Sequence, residues 1–90
     1  MQIQPLQPVA VRLKCGHAEA SCFLVELRDT EMQLTSTDYL ENNSPVVFSS
    51  KFFKGEAKIT NLNFSHHHFN YTLAIVFIQF QPGLLVNKLL

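Results

Sequence analysis

The sequence predicts an all-β protein, a small antiparallel barrel of about six strands with a short C-terminal helix. Three observations predict it. Apolar and polar residues alternate with a period of two in several short stretches, and turn-forming residues separate those stretches. Apolar residues make up 47% of the chain and charged residues only 16%, a balance that favours a packed core over disorder. A set of strands this apolar also gains from closure, because a barrel leaves no sheet edge exposed to neighbouring molecules.

The elements follow in chain order. Residues 1–8 read as an N-terminal arm, and 9–90 as one domain that ends in a helix over 84–90. Ninety residues leave room for one domain with a modest core. In the first strand Val9, Val11 and Leu13 face one way and Arg12 and Lys14 the other. Gly16 and His17 break it. The second strand sets Phe23, Val25 and Leu27 on the expected core face, against Cys22, Leu24 and Glu26. After the polar turn 28–31, Met32 and Leu34 begin a third strand, which makes a hairpin with the second. Residues 37–44 carry Asp38, Asn42, Asn43 and Ser44 and read as a loop around Tyr39 and Leu40. Pro45 opens a fourth strand through Val46, Val47 and Phe48, and a fifth runs from Phe52 and Phe53 to Leu62. Residues 63–70 turn the chain back. Residues 71–80 are apolar on both faces, which predicts a strand covered on both sides. Pro82 and Gly83 end it, and Leu84, Leu85 and Leu89 have the spacing of a short amphipathic helix.

Composition narrows the function. Seven basic residues balance seven acidic ones, so no positive field draws the chain to nucleic acid or to an anionic membrane. The longest largely apolar run, 73–80, falls far short of the roughly 20 residues of a membrane-spanning helix. Residues 1–10 hold two prolines and three glutamines and no basic-then-apolar pattern, which makes the cytoplasm the expected compartment. There Cys15 and Cys22 are expected as unpaired thiols.

Chemistry-bearing constellations are sparse. His66, His67 and His68 are adjacent, but no cysteine or carboxylate stands at the spacing that would complete a four-ligand metal site, so a solvated loop is expected. Cys15 and His17 lack the orienting third group and the oxyanion donors that a nucleophile needs. Glu26, Asp29 and Glu31 gather at a turn, where charge is ordinarily solvated. Gly16, Gly55 and Gly83 stand too far apart for a phosphate-cradling loop. The aromatics Phe48, Phe52, Phe53, Phe64 and Phe69 are accompanied by few basic residues, so core packing is the better account than base stacking. Neither an enzymatic activity nor a cofactor is expected.

The order of elements resembles the PilZ family over residues 9–90: an early hairpin, a polar loop, the Val46-Val47-Phe48 and Gly55-Glu56-Ala57-Lys58-Ile59 patterns, a long final strand and a tail helix. Aligning Met32 and Leu34 with the strand after that family's hairpin motif puts Glu26, Arg28 and Glu31 on its three signature positions, Asp or Asn, Ser, and Gly. None of the three matches. The arginine pair that precedes the barrel in the family is also missing, since residues 2–8 contain no arginine. The resemblance therefore implies a degenerate member, one that does not bind cyclic di-GMP and acts as an adaptor in type IV pilus assembly or secretion. Its partner would be another protein, a pilus or secretion ATPase or a signalling protein, or a second copy in a homodimer. The alternative is a cyclic di-GMP receptor with an atypical site. The candidate protein-binding residues are Leu24, Val76 and Ile78, on faces opposite the expected core, together with Tyr39, Phe52 and Phe53. Part of that apolar face is expected to lie under the tail leucines Leu84, Leu85, Leu89 and Leu90.

Overall fold

The computed structural model describes residues 2–4 and 6–80, which form seven strands and, among those residues, no helix. The strands are β1 (Gln2–Ile3), β2 (Ala10–Cys15), β3 (Ala18–Arg28), β4 (Glu31–Ser36), β5 (Pro45–Ser50), β6 (Phe53–Ser65) and β7 (His68–Phe80). The expected helix over 84–90 lies outside the described residues.

Period-two alternation becomes a closed wall. Every neighbouring pair is antiparallel, and the order around the barrel runs β2, β3, β4, β7, β6, β5 and back to β2, a closed six-stranded barrel. The short β1 pairs with the far end of β3, Ile3 opposite Leu27, beyond the point where Ala10 of β2 meets Phe23. Inside, Val11, Leu13, Leu27, Met32, Leu34, Phe48, Phe53, Ile59, Tyr71 and Leu73 are fully buried. Removing such side chains from water supplies the driving force for closure.

Two-residue turns fix two registers. Cys15 pairs with Ala18 across Gly16 and His17, and Gly16 takes a φ of 61°, the conformation that such hairpins require at this point. Ser65 pairs with His68 across His66 and His67, whose φ values of 53° and 68° form a turn of the doubly left-handed kind. The expected reversal over 63–70 is thus a hairpin whose strands continue to its tip. Asn and Gly are the usual residues in such turns, and neither is present here.

The structure corrects the expected faces of two strands. In β3 the inward residues are Ala20, Cys22, Leu24 and Glu26, whereas Phe23 and Val25 face out. Both faces are apolar, so alternation alone cannot choose between them. A bulge at Val25 then resets the phase and turns Leu27 inward as well. In β7 the outer face is not covered by any described residue at Val76, which is 73% exposed, or at Phe77.

The loop after β4 is fastened by polar contacts. Tyr71 donates its hydroxyl hydrogen to the Asp38 carbonyl at 2.6 Å and accepts from the Leu40 amide at 2.8 Å, which seats Leu40 in the core. Burial, acting first, raises the Tyr71 pKa above its ordinary value. Ser36 Oγ donates to the Ser21 carbonyl at 2.6 Å and accepts from the Asp38 amide, while the Asp38 carboxylate accepts from the Ser21 amide. No buried side-chain nitrogen or oxygen is left without a partner among the described residues.

Candidate functional site

Three surfaces hold the residues singled out from the sequence. The first is the turn between β3 and β4. The bulge at Val25 places Glu26 inside the wall, only 7% exposed, where a bare carboxylate would be costly. Arg28 Nε donates to Glu26 Oε2, and Gln4 Nε2 donates to Glu26 Oε1 at 3.0 Å. Glu31 sits across the turn, partly exposed at the start of β4 and opposite Ala74 of β7. Glu26 and Arg28 are therefore brought together and Glu31 is held apart. The Arg28 guanidinium is engaged through Nε by an internal carboxylate, whose charge lessens its pull on an anionic ligand.

The second surface is the outer wall formed by β5, β6 and β7. Cross-strand pairing aligns Lys14, Val47, Glu56 and Phe77 in one row over four strands, since Lys14 faces Val47, Val47 faces Glu56 and Glu56 faces Phe77. The register between β6 and β7 slips after Glu56, which sets Val76 beside this row as an extra residue. Val47 and Val76 line one open groove with Lys14, Pro45, Glu56 and Lys58. Apolar side chains with a charged border make a surface that other proteins can bury. Of the residues named from the sequence, Val76 belongs to this wall, while Ile78 is half-buried. Phe77 and Val47 were missed. The slip after Glu56 sets the exposed position of Phe77 beside Val76, whereas Val47 follows the plain alternation of β5 between the buried Val46 and Phe48.

The third surface is the tip of the β6–β7 hairpin. The residues paired on its inner face continue the line of the core past the end of the barrel: Leu62 opposite Tyr71, then Phe64 opposite Phe69. Tyr39 reaches over from its loop, with ring centroids 5.5 Å from Phe69, and Phe64 stands 4.9 Å from the same ring, both edge to face. Tyr39 is 58% exposed and Phe64 60%. The opposite face of the hairpin is polar, where the Asn70 side chain donates to Asn63 and Ser65.

The remaining candidates belong to the interior. Leu24 and Phe53 are buried, 5% and 1% exposed, so neither is available to a partner without opening the barrel. The inward phase of β3 and β6 sets both side chains inside the barrel. Phe52, partly buried, packs against the core at the start of β6.

Reactive groups are dispersed. Cys22 is buried and Cys15 half-buried, and neither is in a disulfide. Burial, only partly offset by a hydrogen bond with Ser36, pushes the Cys22 thiol up to about 11, the opposite of what an activated nucleophile needs. Among the described residues no group of three or more His, Cys, Asp or Glu is placed to hold a metal ion, and no helix is long and apolar enough to cross a membrane. Compared with models of known protein families and with curated proteins, the chain matches none.

Proposed function

We propose that the protein is a non-catalytic adaptor, a degenerate PilZ-like barrel that works by docking another protein. The observation that carries this reading is the outer wall, where Val47 of β5 and Val76 and Phe77 of β7 are exposed on either side of Glu56 of β6. The closed six-stranded barrel with an early hairpin and a long last strand supports the resemblance. The Glu26–Arg28 ion pair supports the loss of nucleotide binding. On this reading the partner is a pilus or secretion ATPase or a signalling protein, and the docking residues are Val76 with Val47 and Phe77.

The test is photocrosslinking inside the native cell. A photoreactive residue at position 76, or at 47, is expected to form one discrete adduct with another protein, and one at the exposed Glu41 to form none. No adduct at either wall position, or the same adducts at all three, would overturn the proposal. Calorimetric titration of the purified chain with cyclic di-GMP is expected to show no saturable heat. Saturable binding with a defined stoichiometry would replace the adaptor with the receptor alternative.

A further inference from the structure

The barrel is closed, yet one stretch of backbone lies beyond the closure. β5 pairs with β6 only as far as Pro45 opposite Lys58. The Asn43 amide and the Ser44 carbonyl then bond the carbonyl and amide of Ile59, at 2.9 and 3.0 Å. Past Ile59, among the described residues, no strand lies on that side of β6, although its other side stays paired with β7 out to Ser65. The edge from Thr60 to Ser65 is open.

Its backbone groups can be oriented by parity. Ile59 directs its amide and carbonyl away from β7, toward the loop. The register slip between Ile59 and Asn61 adds Thr60 as an extra residue, which shifts the phase by one. Ser65, which closes a two-residue turn with His68, points toward β7, so Leu62 and Phe64 point their amides and carbonyls outward. The side chains of the same two residues lie on the apolar face, where Phe64 is exposed.

Proteins usually blunt such an edge with lysine, proline or an inward charge. None is present, and no Asp, Glu, Lys or Arg occurs from Thr60 to Thr72. An uncharged edge suits self-pairing, because a two-fold axis sets each residue near its own copy and any charge there would face its like.

We infer that a second copy of this chain pairs with the open edge of β6, antiparallel, about a two-fold axis at Asn63. In that register Leu62 of one copy lies beside Phe64 of the other. Both outward amides and both outward carbonyls of each copy are then satisfied. The two Leu62–Phe64 pairs stack on the apolar face and bury Phe64, and each hairpin continues into the other as one four-stranded sheet. This surface is separate from the wall around Val76, so the dimer and the adaptor reading stand or fall independently.

Sedimentation equilibrium of the full chain over micromolar to millimolar concentration tests the inference. The native sequence is expected to dimerise, and Phe64→Lys and Phe64→Glu each to remain monomeric with native circular dichroism. Mixing the two variants is expected to restore a dimer. Amide exchange on the native sequence serves if the variants fail to fold. With nine-tenths of the chain dimeric, exchange at the Leu62 and Phe64 amides is expected to slow about tenfold by mass action and to recover on dilution. A native chain that stays monomeric throughout, a Phe64→Lys variant that dimerises as well as the native chain, or exchange at the two amides that is independent of concentration would each overturn it.

Discussion

Gly55 shows how one residue sets the width of the barrel. It lies between Phe48 of β5 and Ile78 of β7, and a Cβ built on it would come within 2.1 Å of the Phe77 carbonyl oxygen and 2.7 Å of the Phe48 ring. The carbonyl is backbone and cannot swing aside, so the two strands would have to part. Gly55→Ala is expected to destabilise the protein by about 3 kcal/mol, at the upper end of overpacking effects, as read by urea unfolding. A change within experimental error would show that β7 has room to move. Cys22 makes a second prediction. Its thiol rises from 9.0 in the open chain to about 11 in the fold, so the folded state holds its proton over a range in which the unfolded state has lost it. Stability from this source is complete below about pH 9 and is lost as the pH climbs to about 11. Tyr71, also raised by burial, adds to the same alkaline loss. Thermal melts across that range are expected to fall less steeply for Cys22→Ala than for the native chain, with the tyrosine contribution left in place. Equal slopes would mean that the thiol does not titrate with unfolding.

The β6–β7 hairpin carries its strain at the turn. His66 and His67 both sit at positive φ, which costs a residue with a Cβ on the order of 1 kcal/mol, and glycine much less. His67→Gly is therefore expected to raise stability by about 0.5 to 1 kcal/mol, seen as a higher urea midpoint at unchanged slope. A lower midpoint would mean that the His67 side chain makes a contact worth more than the strain. The same turn explains one limit of reading this fold from its sequence. The strands were legible where polar and apolar residues alternate cleanly, as at Val11 and Leu13, and the closed barrel followed from their number and spacing. The hairpin tip was hidden because histidines stand where Asn-Gly would announce a turn. The inward face of β3 was hidden because Phe23 and Val25 are as apolar as Cys22 and Leu24, and the choice is made by neighbours that the local sequence does not reveal. Val76 and Tyr39 were legible as surface apolar residues. Phe77 depended on how far β6 slips against β7, a long-range fact, whereas Val47 lies on the outward phase of β5 between the buried Val46 and Phe48.

At the scale of the whole molecule, apolar residues do two different jobs, and the barrel wall separates them. Leu24 and Phe53 fill the interior, while Val47 and Val76 stand outside with no described residue over them. The two groups are chemically alike, so only their effects on folding and on binding can tell them apart. Leu24→Ala is expected to cost about 2 to 5 kcal/mol and Phe53→Ala about 3 to 5, since each leaves a cavity in a small core. Val47→Lys with Val76→Lys is expected to change stability by no more than about 0.5 kcal/mol per site, because those positions already lie in water. In the crosslinking assay, with the photoreactive residue moved to position 77, the double lysine variant is expected to lose its adduct while its thermal unfolding stays native. Phe77 stands in the same row and reports the same wall without using either substituted position. If the double variant unfolds early, the wall is covered within the native molecule and its apolar residues belong to the packing. If it stays stable and keeps its adduct, the partner meets this wall without being held by Val47 and Val76, and the exposed rings of Tyr39 and Phe64 at the hairpin tip become the next residues to substitute.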